Sequence, residues 1–164
     1  MKVCLFAGTF DPITIGHYHT VTGLLNDYDK VIVAIGVNPD KTPFFSLEDR
    51  LSFLRLAFSD CDRVEVDSYD GLTVDYMKKR KVVDLVRGIR NGVDLEYEQK
   101  NHALSKEIYP LLNTVYVSAT SEDKNISSTS VRKLIEKGED FRELVPKSVY
   151  DAVKKAVEKL KENK

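Results

Sequence analysis

The sequence predicts an α/β protein: a doubly wound, five-stranded parallel sheet with helices on both faces, formed by one domain over residues 1–164. Three observations lead there. Short, β-branched apolar runs alternate with longer amphipathic segments, the pattern of strand–helix–strand crossovers. No internal repeat, low-complexity tract or Ser/Gly/Pro-rich linker interrupts that alternation. Eight glycines and five prolines in 164 residues leave most of the chain to regular structure. A chain of this length buries roughly 70% of its unfolded surface and so needs no disulfide or metal to hold its core.

The elements follow in order. Residues 3–7 (VCLFA), 31–37 (VIVAIGV), 64–67 (VEVD), 82–86 (VVDLV) and 114–117 (TVYV) read as buried strands. Helical spacing marks 16–27, 46–58, 73–80, 93–109, 128–137 and 146–162. Ser46, three residues before Asp49, suits an N-cap ahead of Leu47, Leu51, Leu54 and Phe58, which share one helical face. Gly138 suits the end of the fifth helix, and Val149, Val153, Val157 and Leu160 line one face of the last. Parallel neighbours require right-handed crossovers, so the arrangement is Rossmann-like, with ligands expected beyond the carboxyl ends of the strands.

Composition narrows the function. Hydrophobic residues make up 42% and charged residues 31%, ordinary for a globular protein. With 25 Lys and Arg against 26 Asp and Glu, the net charge of −1 argues against a protein that coats nucleic acid or an anionic membrane. Any anion must therefore be handled by a few cations gathered locally. Cys4 and Cys61 stand outside any CxxC pattern, and Cys4 reads as a small buried hydrophobe. No HxH, HExxH or clustered carboxylates suggest a metal held by the protein itself. The N-terminus reaches Asp11 too soon for a signal peptide, and the run 31–37 is too short to span a bilayer. A soluble cytoplasmic protein is the expectation.

The segments after the strands carry the chemistry. After the first come GTFDP (8–12) and TIGH (14–17), neither a GxGxxG fingerprint nor a Walker A loop. Gly8 permits a sharp turn, Thr14 can cap the helix, and His17 falls in its first turn, where backbone N–H groups and the dipole favour phosphate. The same pattern also fits an ordinary capped helix with an incidental histidine. After the second strand, NPDK (38–41) brings Lys41 to the sheet edge, and after the fourth, RGIR (87–90) brings Arg87 and Arg90. Guanidinium groups there need anionic partners: phosphate, or salt bridges to Asp94, Glu96 or Glu98. After the fifth, NISSTSVR (125–132) clusters hydroxyls at a helix start, for capping or for a polyphosphate. The convergence of all these segments on one sheet edge favours a phosphate site. His19, two residues past His17, reads as pointing to another helix face, and His102 as exposed.

GTFDP, TIGH and ISSTSVR together resemble the nucleotidylyltransferase superfamily with its T/HxGH and ISSTxxR motifs. NPDK leading into PFFSLEDR (43–50), then RGIR, then DLEYE (94–98), narrow the resemblance to bacterial phosphopantetheine adenylyltransferases over residues 2–150. That resemblance implies transfer of AMP from ATP to 4′-phosphopantetheine, giving dephospho-coenzyme A and pyrophosphate by in-line attack on the α-phosphate. It implies His17, Lys41 and Arg87 as catalytic residues, His17 stabilising the transition state. Thr9, Lys41, Thr73 and Arg87 would bind the acceptor. Thr9, Phe10, His17, Gly88, Ile89, Arg90 and Glu98 would bind ATP, with Asp123, Lys124, Asn125, Ile126, Ser127, Ser128 and Thr129 closing over it. Mg²⁺ would ride on the ATP phosphates, and the chain would form a homo-oligomer, a hexamer by resemblance. Asp123 stands where some members carry a bulky aromatic, and QKNHALS (99–105) lacks their Met-rich pattern. Small nucleotidylyltransferases acting on nicotinate mononucleotide or glycerol 3-phosphate usually show HxGH where Thr14 stands. A non-catalytic nucleotide sensor would not need His17, Lys41, Arg87 and Arg90 together. The acids Glu48, Asp49, Glu136 and Glu143 would balance the cleft cations from elsewhere.

Overall fold

The strands alternate their side chains with period two, and that alternation builds two apolar layers. In β1 (Val3–Gly8), Cys4 and Phe6 face one layer while Leu5 and Ala7 face the other. In β2 (Lys30–Val37), Val31, Val33 and Ile35 oppose Ile32 and Ala34 in the same way. The computed structural model describes residues 1–89, 92–120 and 122–163, apart from the side chains of Val93, Asp94 and Glu98. Around these strands it arranges α1 (Ile15–Leu24), α2 (Leu47–Ala57), β3 (Val64–Asp70), α3 (Thr73–Arg80), β4 (Asp84–Ile89), α4 (Gly92–Ile108), β5 (Asn113–Ser118), α5 (Ser128–Glu136) and α6 (Tyr150–Glu162). All sheet pairings are parallel, in the order β3-β2-β1-β4-β5. The doubly wound sheet of the sequence reading is therefore present.

The first layer takes Val21 and Leu24 of α1, Phe53 and Leu54 of α2, Val131 and Ile135 of α5, and Val153 and Ala156 of α6. The second takes Val74, Tyr76 and Met77 of α3 together with Val82, Tyr109 and Leu112. Fully burying one such side chain contributes about 1.5–3 kcal/mol, so each layer is worth many times any surface contact. Cys4 is fully buried, and burial pushes its thiol up to about 12, which makes it the inert hydrophobe the sequence suggested. Among the described residues, no helix is long and apolar enough to cross a membrane.

Several boundaries differ from the sequence reading, each for a physical reason. β4 runs 84–89 rather than 82–86, because Arg87, Gly88 and Ile89 pair with Tyr116, Val117 and Ser118 of β5. Arg87, Gly88 and Ile89 thus lie in the strand, not after it. β3 extends to Asp70 because its whole length pairs with residues 31–37 of β2. The last helix starts at Tyr150, after a 3-10 turn at Arg142–Leu144 and a turn in which Val149 N donates to the Pro146 carbonyl. Gly138 (φ +70°) ends α5 as expected, in the left-handed region that disfavours other residues. His102 is half-buried rather than exposed, its Nδ1 bonded to the Thr114 hydroxyl of β5.

The edge strand β3 carries a charged cluster. Lys30 Nζ donates to Glu65 Oε1 at 2.7 Å, and Arg80 bridges Glu65 and Asp67. The Lys30 hydrogen bond, opposed by partial burial and aided by Arg80, holds the Glu65 carboxyl below its ordinary value of 4.5. A carboxyl depressed by folding stabilises above its unfolded pKa and loses that contribution as pH falls through its folded pKa. Glu65 is 34% exposed, so solvent screening keeps the gain under about 1 kcal/mol. Urea midpoints of Glu65→Gln and the parent chain should differ at pH 7 and converge as the pH falls through the depressed folded pKa of Glu65. A gap unchanged by acid would locate the effect in packing instead.

Candidate active site

Strand order reverses between β2 and β5 at the β1–β4 pair, and the site opens at the carboxyl ends of those two strands. A cleft of about 680 Å³ lies there, floored by β1 and β4 and walled by α1 and the start of α5.

The first wall is built by the β1–α1 turn. Phe10 adopts a left-handed φ of +47° and turns its ring into the core, where it is 3% exposed. A Cβ at Gly8 would sit 3.3 Å from that ring, so glycine lets strand and ring approach closely. Thr14 then caps α1 with a full capping box, in which His17 N donates to Thr14 Oγ1 and Thr14 N donates to His17 Nδ1 at 2.9 Å. That second bond has a chemical consequence. Nδ1 is an acceptor, so the neutral ring carries its proton on Nε2. The Phe10 ring, 4.9 Å away and edge-on, fixes the imidazole from the side.

The second wall is the start of α5. Ser127 caps the helix, and Ser130 completes the box by accepting from Ser127 N at 3.0 Å. Ser128 Oγ donates to the Pro12 carbonyl at 2.7 Å, and Arg132 donates to the Asp11 carbonyl at 2.8 Å and to Thr129 Oγ1 at 3.0 Å. The serines therefore cap and tie as well as line. Two helix N-termini, those of α1 and α5, converge on one cleft, and both favour an anion there.

Behind these walls sits a buried pair that sequence reasoning quoted only as motif letters. Asp11, 4% exposed, accepts from Phe44 N at 2.7 Å and Phe45 N at 2.9 Å. Arg50, 5% exposed, donates to the Phe45 carbonyl and, at 3.1 Å, to the Thr9 carbonyl. Burial pulls the Arg50 guanidinium below its ordinary 12.5, and the Asp11 charge opposes that pull. Together they lock the turn after β1 to the loop before α2.

A second hollow of about 350 Å³ opens beside Asn38, Pro39, Tyr69 and Thr73. A Cβ at Gly36 would come within 3.0 Å of the Tyr69 hydroxyl, so glycine there lets Tyr69 lie across β2 and bond Thr73 Oγ1 at 2.8 Å. Burial raises the Tyr69 hydroxyl pKa, with Thr73 and the nearby Arg87 charge pulling it back.

Comparison with known proteins places this architecture. The cytidylyltransferase-like family matches residues 5–134. A protein of Brucella anthropi named phosphopantetheine adenylyltransferase is 37% identical over 158 residues, 93% of this chain and 96% of its own. One of Christiangramia forsetii with the same name is 39% identical over 150 residues, 89% of this chain and 96% of its own. The chain belongs to the phosphopantetheine adenylyltransferase family. A solved bifunctional NMN adenylyltransferase/ADP ribose pyrophosphatase from Francisella tularensis aligns with a TM-score of 0.67 and 19% identity over 88% of this chain and 45% of that one. At that identity the likeness speaks for the fold alone.

The positions that a phosphopantetheine adenylyltransferase would use are distributed unevenly. Thr9, Phe10, His17, Arg87, Gly88, Ile89, Asp123, Ile126, Ser127, Ser128 and Thr129 line the main cleft. Thr73 lines the second hollow instead. Lys41 is exposed on the turn closed by Lys41 N to the Asn38 carbonyl, and Lys124 and Asn125 are exposed ahead of α5; none of the three lines the main cleft. Arg90 and the Glu98 and Asp94 side chains lie outside the described residues. Several further residues of this phosphopantetheine adenylyltransferase family member line the cleft, and His19 is the one among them with a titratable ring. His19 lines the cleft with His17, and its Nδ1 lies 2.7 Å from Asp123 Oδ2. Two residues along a helix turn a side chain through about 200°, yet the cleft runs along α1 widely enough to take both.

Proposed function

We propose that the cleft binds ATP beside 4′-phosphopantetheine and transfers AMP between them. An oxygen of the acceptor phosphate forms a bond to Pα while the bond from Pα to the β-phosphate oxygen breaks, so that dephospho-coenzyme A and pyrophosphate leave. The observation that carries this reading is the donor geometry. His17 Nδ1 is held as an acceptor by Thr14, which leaves the neutral ring its proton on Nε2, in a cleft that His17 lines together with Arg87 and the N-termini of α1 and α5. Phosphoryl and nucleotidyl transfer ask little covalent chemistry of the protein, so positioning and charge stabilisation suffice.

In this reading Thr9 and Arg87 place the attacking phosphate, Lys41 reaches it from its exposed turn, and Thr73 with the second hollow takes the pantetheine arm. Gly88 and Ile89 lie under the nucleotide, and the 123–129 segment closes over it, with Arg90 and Glu98 completing the nucleotide site. Mg²⁺ belongs with the triphosphate, whose charge it neutralises when bound. The hydroxyl and backbone N–H donors of α1 and α5 suit phosphate oxygens rather than a cation. The proposal includes a cytoplasmic homo-oligomer, a hexamer. Support comes from an apolar stripe on and after α4, where Tyr97 (65%), Leu104 (59%), Ile108 (47%) and Leu111 (71%) are exposed.

Mixing the protein with Mg-ATP and single acceptors, then measuring pyrophosphate, tests the reading. Release with 4′-phosphopantetheine, and little with nicotinate mononucleotide or glycerol 3-phosphate, is expected. Turnover with either of the latter and none with 4′-phosphopantetheine would overturn it.

A further inference from the structure

We propose that the His19 imidazole, oriented by Asp123, is the flat wall on which the nucleotide base stacks; this rests on the reading of the cleft as an ATP site. Aromatic rings that line the cleft belong to Phe6, Phe10, His17 and His19. Phe6 and Phe10 are 6% and 3% exposed and spend their faces on the core. His17 is engaged by Thr14 and packed against Phe10 at the phosphate end. His19 differs from all three, because its side chain is 47% exposed at the cleft wall.

Its orientation is nevertheless fixed. Asp123, only 7% exposed, binds Nδ1 at 2.7 Å. Asp123 is itself held by its backbone, since its N–H donates to Thr120 and its carbonyl accepts from Ile126 N. A ring pinned at one nitrogen loses little further freedom when a base lies against it, which is the condition for stacking to add affinity. The adjoining α1 surface is small: Gly16, Thr20 and Gly23 line the same cleft, and Thr20 turns its hydroxyl back to the Gly16 carbonyl. His19 contacts the base directly, and Asp123 acts through His19 as a positioning residue.

A simple latch between α1 and the 122–126 turn would use the hydrogen bond and not the ring, and three substitutions separate the two roles. His19→Ala removes both functions, His19→Phe keeps a ring without the bond, and His19→Asn keeps a donor near the Nδ1 position without the ring. Calorimetric titration of each protein with Mg-ATP, and separately with inorganic tripolyphosphate, reads base and phosphate affinity apart. We expect His19→Ala to weaken ATP binding about tenfold and leave tripolyphosphate binding within threefold. His19→Phe should recover most of the loss and His19→Asn little. Asp123→Ala should weaken ATP in the parent chain but add nothing in the His19→Ala background. Recovery by His19→Asn and not by His19→Phe would overturn the stacking role in favour of a latch, and unchanged ATP affinity in His19→Ala would remove His19 from the site. Because these titrations need no acceptor, they stand apart from the pyrophosphate assay. Failure there with intact ATP binding would strike the proposed reaction and not the base wall.

Discussion

His17→Ala should lower kcat by about 100-fold or more while changing KM for ATP only modestly. The neutral ring accepts at Nδ1 from Thr14 N and so keeps its proton on Nε2, the one position from which it can donate to an α-phosphate oxygen. Charge at that oxygen grows as the acceptor approaches, so the bond is worth most in the transition state and little in the ground state. The substitution also deprives Thr14 N of its partner, which costs about 1 kcal/mol of helix capping and must be kept apart from the chemistry. His17→Gln does that. Glutamine at the third helical position completes a capping box, so the thermal midpoint should recover while kcat stays depressed. Steady-state pyrophosphate release with 4′-phosphopantetheine, alongside thermal melts, measures both. A His17→Ala protein with parental kcat would refute the role outright.

Much of this site was legible because its residues are tied to local rules. Thr14 and His17 can be placed from capping spacing alone, and Ser127 announces α5 in the same way. The strands were legible because buried parallel strands are continuous apolar runs, and β2 shows one from Val31 to Val37. What escaped depends on partners far apart in the chain. The extent of β4 is decided by pairing with β5, which carries the strand through Arg87 and Gly88 against their polar and glycine character. His19 was passed over because helical spacing alone cannot foresee Asp123, which lies 104 residues away and holds the ring at the cleft. Lys41 shows the reverse case. Its place in the chain put it at the right edge of the sheet, but the Asn38–Lys41 turn leaves the side chain in solvent.

Substitutions at the two buried charges Asp11 and Arg50 should give large stability effects, and activity should follow. Asp11→Ala strands the N–H groups of Phe44 and Phe45 and removes the negative charge that offsets the buried Arg50 guanidinium. Leaving two buried N–H groups without an acceptor costs about 1–3 kcal/mol each, a large share of the 5–15 kcal/mol that holds a typical domain together. Asp11→Asn retains one acceptor oxygen at the cost of turning an amide donor toward the second N–H, so about 1–3 kcal/mol should be lost. Arg50→Met fills much of the same volume but leaves the Thr9 and Phe45 carbonyls without their donor, again at about 1–3 kcal/mol. The Thr9 carbonyl belongs to the turn that lines the cleft, so its release should be felt in the reaction even where the protein stays folded. Urea unfolding gives the stability and pyrophosphate release at 20 °C gives the activity. Arg50→Lys, which keeps the charge but not the two-pronged grip on Thr9 and Phe45, should recover part of the stability and little of the rate. If Arg50→Met matched the parent chain in rate once both were fully folded, Thr9 would be held by its own turn and the pair would serve stability alone.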